Sequence, residues 1–171
     1  MARFPGFGDK LFKWLKPLFK AEDKAHLRLI HAACLLHDNH WRSHPDYRAD
    51  VCFDAATHTN LSGLDHPGRV FLAFCLMHRY KPRGMSEAYL ALEELISVHD
   101  RALAKVTGIA IRLGAMMSSA DPKHMGELKV TEDQLVLCLS KESEDIFGEV
   151  VLKRFNQLGS AMNKEAQLQY L

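Results

Sequence analysis

Glu127-Leu128-Lys129-Val130-Thr131-Glu132-Asp133-Gln134-Leu135-Val136-Leu137-Cys138-Leu139 is where this chain changes its rhythm. Two short apolar-rich runs, 127–130 and 134–139, flank the polar triplet Thr131-Glu132-Asp133. That pattern predicts two strands joined by a hairpin loop. Upstream of this point the apolar residues recur at helical spacing. Residues 99–119 carry Leu103, Val106, Ile109, Ala110, Leu113, Met116 and Met117, the pattern of a long helix at the centre of the core. Downstream, about 145–162 reads as a helix and Ala166-Gln167-Leu168-Gln169-Tyr170 alternates as a third strand. The predicted fold is therefore mainly α, a helical bundle over 1–125 followed by a small β-β-α-β unit over 126–171, packed together as one structural unit.

Working back toward the N-terminus, the helical punctuation is explicit. Ser86 is the predicted cap of a helix to about Ser97. Asp65 caps another that runs to about Tyr80, with Pro67 in its first turn. A helix over 46–58 precedes it, and His44-Pro45 separates that helix from one over 22–40. Residues 8–20 form an amphipathic segment with Leu11, Phe12, Leu15, Leu18 and Phe19 on one face, which Pro17 bends or ends. Its lysine-rich opposite face would suit a membrane surface, but so short a helix is expected to dock on the rest of the domain.

Composition bounds the function. Of 171 residues, 47% are apolar and 25% charged, enough for a core without staples. A net charge of +1 argues against a bulk nucleic-acid binder. Cys34, Cys52, Cys75 and Cys138 form no Cys-x-x-Cys pair and read as buried free thiols in a reducing cytoplasm. The longest apolar run, Val70–Met77, is too short to span a bilayer. No nucleophile elbow, Walker loop or dinucleotide fingerprint occurs.

Two chemical features remain. His37-Asp38 is a pair that can hold one divalent ion, Mg or Mn, and activate a water for phosphoryl hydrolysis. Its missing partners leave that reading short: His26 and His31 lie on the same predicted helix, and the middle of 99–119 has no carboxylate. The other reading is a hydrogen-bonded pair fixing helices. The second feature is basic. Trp41-Arg42-Ser43-His44-Pro45-Asp46-Tyr47-Arg48 follows the pair, Asp65-His66-Pro67-Gly68-Arg69 opens a helix, and His78-Arg79-Tyr80-Lys81-Pro82-Arg83 closes it. Arginines near a helix start suit phosphate, or are solvated cations with Trp41 and Tyr47 anchoring a loop.

These segments resemble a known family. Ala32-Ala33-Cys34-Leu35-Leu36-His37-Asp38, the Trp41–Arg48 block, Asp65–Arg69 and the helix with Ile111-Arg112-Leu113 are similar to the C-terminal region of the bacterial exopolyphosphatase / guanosine pentaphosphate phosphohydrolase family, in its alphaproteobacterial form. The likeness runs from about Phe7 onward. It implies an HD-like accessory domain that lines a polyphosphate channel and supports dimer contacts, with Arg42, His44, Arg48, Arg69 and Arg79 facing the polyanion. The implied partners are inorganic polyphosphate or guanosine polyphosphate, a second copy, and an actin-like catalytic domain. The glycine-rich loops and catalytic carboxylate of that domain do not occur in this sequence, so the expected role is non-catalytic, as a stand-alone product or the detached end of an enzyme. Where many members continue Ile-Gly after the pair, this chain has Asn39-His40. Gly114-Ala115 stands where some carry an aspartate. Both departures point away from metal chemistry.

Overall fold

The computed structural model describes residues 4–80, 86–140 and 147–170. The helices are α1 (Phe7–Leu15), α2 (Lys24–Leu36), α3 (Arg48–His58), α4 (His66–Arg79), α5 (Glu87–Glu93), α6 (Val98–Met117) and α7 (Glu149–Ala161). The strands are β1 (Gly126–Val130), β2 (Gln134–Leu139) and β3 (Glu165–Tyr170). The protein is mainly helical with a small sheet at its C-terminal end.

α2, α4, α5 and α6 each start where a side chain satisfies one of the first free N–H groups. Asp65 accepts from Gly68 N at 2.8 Å and Asp23 from His26 N at 2.8 Å. Ser86 accepts from Tyr89 N. Ser97 and Asp100 form a reciprocal capping box at the start of α6. Pro17 ends α1 as predicted, and the chain continues as a 3-10 turn over Lys16–Phe19.

α4 and α6, packed on each other, form the centre of the bundle. Every residue from Val70 to Met77 is buried, because α4 is covered on one side by α6 and on another by α3. The eight-residue apolar run is thus the signature of a helix enclosed all round. Its axis approaches α6 at Gly108. A Cβ there would lie 2.5 Å from the Cys75 carbonyl oxygen, so the two backbones meet where only glycine fits.

The apolar face of α1, formed by Phe7, Leu11, Trp14 and Leu15, is buried in the core, and docking is the outcome. Trp14 Nε1 donates to the Gly126 carbonyl at 2.7 Å and joins α1 to β1. His31 Nε2 lies 2.8 Å from Asp9 Oδ1, and its ring stacks on Phe12, joining α1 to α2.

β1 and β2 are antiparallel, with Leu128 opposite Leu137; β2 and β3 are parallel, with Leu137 opposite Leu168. The order β1-β2-β3 puts β2 in the middle. A parallel neighbour needs a crossover, and α7 supplies its helix. Leu135, Leu137, Leu139, Phe155 and Leu158 are fully buried and continuous with the helical core. The predicted helix start at about 145–148 lies partly outside the described residues; α7 begins at Glu149. No helix among the described residues is long and apolar enough to cross a membrane.

Candidate functional site

The His37-Asp38 pair does not sit within a helix. α2 stops at Leu36, about one turn short of the expected 40. The physical cause is tertiary. Tyr80 OH donates to the His37 carbonyl at 2.8 Å, taking the acceptor that a continuing helix would use. His37 and Asp38 are both buried, at 4% and 5% exposure.

The imidazole is held by an aromatic ring and a guanidinium. Phe7 meets it edge-on at 5.5 Å between centroids. Arg79 Nε donates to His37 Nδ1 at 3.2 Å. An accepting Nδ1 requires the neutral tautomer with its proton on Nε2. Burial, and then the Arg79 charge, push the His37 pKa down to about 4, against a smaller upward pull from Asp38. Asp38 Oδ2 accepts a long hydrogen bond from Phe4 N at 3.4 Å.

This arrangement does not fit a divalent ion at the pair. A guanidinium already occupies the position beside Nδ1, and its charge would repel a second cation. Among the described residues no group of three ligating side chains includes His37 or Asp38. The pair is a hydrogen-bonded junction between the end of α2, the end of α4 and the N-terminal segment.

Arg79 leads instead into a line of guanidinium groups. Arg48 and Arg79 both sit over the Tyr80 ring, at 5.3 and 4.5 Å from its centroid. Arg79 is depressed below the ordinary arginine range by burial and also feels Arg48. Arg112, in the C-terminal half of α6, is likewise lowered, first by burial and then by the charges of Arg154 and Arg79. So α3, α4, α6 and α7 each contribute one arginine to a mutually repelling set. The Arg112 side chain makes no hydrogen bond or ion pair with any described residue. Arg154 donates through Nη1 to Gln157 at 3.0 Å while its Nε is buried without an acceptor.

The arginines expected from sequence divide accordingly. Arg48 and Arg79 come together. Arg48 is committed to the backbone, donating to the Trp41 carbonyl at 2.7 Å and the Ser43 carbonyl at 2.8 Å. It thereby fixes the loop that carries Arg42 and His44. Both of those are exposed; Arg42 lies over the Trp41 ring at 5.0 Å, and His44 Nδ1 is 3.8 Å from Asp46 Oδ2. Arg69 does not join them. It starts α4 and Arg79 ends it, a separation of about 15 Å at the helical rise. Its Nη2 lies 3.2 Å from His66 Nδ1, and its Nε is buried without a partner. Arg112 and Arg154 escaped the sequence reading of basic segments. The available signal was one long cation set among apolar neighbours in Ile111-Arg112-Leu113.

A second cluster was also missed. His26 Nδ1 is 3.0 Å from Asp23 Oδ1 and its Nε2 is 2.8 Å from Asp100 Oδ1. His99 Nε2 is 3.0 Å from Glu22 Oε2, and the two imidazoles meet edge-on at 5.7 Å. Burial works against a charged His26, but hydrogen bonds to Asp100 and Asp23 outweigh it and raise the pKa. Asp100 is held low by its bonds from His26 and Ser97 despite burial. A cavity of about 350 Å³, lined by His26, Arg28, Asp65, Gly68, Phe71 and Asp100, opens beside the cluster.

The fold is a helical bundle closed by a small three-stranded sheet, with its His-Asp pair pinned by an arginine. The chain belongs to the exopolyphosphatase C-terminal family, whose description matches residues 4–169. No curated protein matches it.

Proposed function

We propose that this chain is a non-catalytic accessory domain that binds inorganic polyphosphate or a related phosphate polyanion. The observation that carries the reading is the line Arg48–Arg79–Arg112–Arg154. Four guanidinium groups from four helices each stand within electrostatic reach of the next, in a chain of net charge +1. Asp38 is the carboxylate felt by Arg79, and it is buried. Crowded like charges cost stability unless an anion offsets them, and guanidinium forks suit phosphate oxygens. Membership of an exopolyphosphatase family supports a phosphoanhydride polymer as that anion.

Within this reading Arg112, Arg154 and Arg42 contact the polymer. Arg79 supplies charge while holding His37, and Arg48 shapes the Trp41–His44 loop. His44 lies at the edge of the same surface. Arg69, at the far end of α4, serves a long chain only.

The test is titration of the full chain with long-chain polyphosphate at low, intermediate and high salt. Binding should weaken steeply with salt, as counterion release requires. Arg42→Ala combined with Arg112→Gln should lower affinity about tenfold or more, the loss expected from two charge-assisted contacts. Arg69→Ala should have little effect on a short polymer. Absent or salt-insensitive binding, or no effect of the double variant, removes the proposal. Competition by guanosine polyphosphate separates the two ligand classes.

A second reading, docking to another copy or to an actin-like catalytic domain, is favoured by one observation. Leu90, Leu95 and Val98 are 49%, 49% and 78% exposed around the α5–α6 junction. Light scattering on the parent and on a Leu90→Lys, Val98→Lys variant tests it; a monomer in both, with no complex formed, argues against it.

A further inference from the structure

We infer that His26, His99 and Asp100 form a binding site for a divalent first-row transition ion, with Zn²⁺ the natural occupant, held from outside by Asp23 and Glu22. One ligand atom from each of the three lies within 4.8 Å of the other two. The three come from different parts of the chain. His26 is in the first turn of α2, while His99 and Asp100 are in the first turn of α6.

The orientation of the groups is that of a prepared site. A ligating histidine ordinarily gives its second ring nitrogen to a carboxylate or carbonyl, which fixes ring and tautomer. His26 has that partner: Asp23 Oδ1 stands 3.0 Å from Nδ1, leaving Nε2 to face Asp100. His99 has one too, Glu22 Oε2 at 3.0 Å from Nε2. Asp100 divides its oxygens in the same way. Oδ2 accepts from Ser97 N at 3.1 Å within the capping box, and Oδ1 faces His26. Thus one polar atom of each side chain is fixed by a supporting bond, and one ligand atom from each of the three lies within 4.8 Å of the others.

The spacing is close to that of a bound ion. Tetrahedral bonds of about 2.0–2.1 Å place neighbouring ligand atoms about 3.3 Å apart. His26 Nε2 and Asp100 Oδ1, now 2.8 Å apart, need to open by about half an ångström. Two imidazoles with one carboxylate favour zinc and its neighbours over magnesium or calcium, which prefer oxygen throughout. Three protein ligands leave a position open, and the adjacent cavity gives water a route to it.

Charge points the same way. Glu22, Asp23 and Asp100 carry three negative charges at the N-termini of α2 and α6. Each helix end supplies roughly half a positive charge, which leaves about two negative charges for a divalent ion to balance with both imidazoles neutral. Among the described residues no lysine or arginine pairs with Glu22, Asp23 or Asp100. Glu22 is only 14% exposed at its side chain.

The site is independent of the arginine line, so either proposal can fail alone. The full chain, stripped with a chelator, is titrated with Zn²⁺ by calorimetry and with Co²⁺ by visible absorption. The expected result is one ion per chain and an imidazole-bound Co²⁺ spectrum. His99→Ala should weaken Zn²⁺ more than about a hundredfold, and Asp23→Asn, acting through His26, about tenfold. His99 is 61% exposed at its side chain, so its removal leaves the fold intact, checked by circular dichroism. His124→Ala, on an exposed turn, should change nothing. No stoichiometric ion, an affinity unchanged by His99→Ala, or binding abolished instead by His31→Ala overturns the assignment.

Discussion

Acid should weaken this protein through His37 and His78, and the size of the effect can be worked from their surroundings. Both pKa values are lowered to about 4 from an ordinary 6.5. For His37 the causes are burial and Arg79; for His78 they are burial and Lys105. Asp38 opposes the shift at His37, while Phe7 and the Arg79 Nε–H leave no acceptor for a new proton on Nδ1. The unfolded chain takes up these protons below about pH 6.5 and the folded chain does not. Stability is therefore full above pH 6.5, falls between 6.5 and 4, and levels off below. Each histidine accounts for roughly 3 kcal/mol over that window, of which about 2 kcal/mol is gone by pH 5. His26, whose pKa is raised, works in the opposite direction, so the decisive quantity is the difference between variant and parent. His37→Gln keeps an acceptor for Arg79 and cannot titrate. Urea denaturation from pH 7.5 to 4.5 should show the variant losing about 2 kcal/mol less than the parent by pH 5. Parallel curves for variant and parent, or a His37 ring resonance that titrates near 6.5, would refute the reasoning.

Three further outcomes follow from the packing. Gly108→Ala places a methyl 2.5 Å from the Cys75 carbonyl oxygen and from His78 Cβ. The α4–α6 approach must widen, at a cost of about 1–3 kcal/mol in urea denaturation despite the better helix propensity of alanine. Trp14→Phe leaves the buried Gly126 carbonyl without its donor and should cost about 1–3 kcal/mol by the same assay. Cys34, Cys52, Cys75 and Cys138 are all buried, and burial raises the first three thiols, Cys52 to about 11. A thiol reagent should leave the native chain unmodified over the time in which the urea-unfolded chain reacts fully.

The fold was legible wherever local chemistry decides it. Asp65 and the 3.6-residue pattern of 99–119 predicted α4 and α6 almost to the residue, and Ser86 predicted the start of α5, which stops at Glu93 rather than near Ser97; caps and amphipathic stripes are written in neighbouring positions. The two hairpin strands followed from the apolar runs around Thr131-Glu132-Asp133 and the third from the alternation of 166–170, while its parallel pairing with β2 was not written in the tail. The end of α2 was not legible. Nothing in Leu36-His37-Asp38-Asn39-His40 breaks a helix; Tyr80, more than forty residues away, does so by taking the His37 carbonyl. The candidate sites failed to show for the same reason. Arg112 and Arg79 are unrelated in sequence until α4 and α6 cross, and His26 and Asp100 are separated by 74 positions.

That distance dependence explains how one pair of residues can look catalytic in sequence and structural in space. A His-Asp pair becomes a metal site only if its free nitrogen and carboxylate face further ligands. Here the same nitrogen faces a guanidinium, and a guanidinium donates where an ion would accept. The substitution converts a position of cation binding into one where a cation is permanently built in. Arg79 is then already positioned, by His37 and by the Tyr80 ring, to add its charge to Arg48 and Arg112. The pair's contribution to the proposed polyanion surface is thus the fixed orientation of Arg79. His37→Ala should loosen that orientation and weaken polyphosphate binding even though His37 itself, at 4% exposure, cannot reach a ligand.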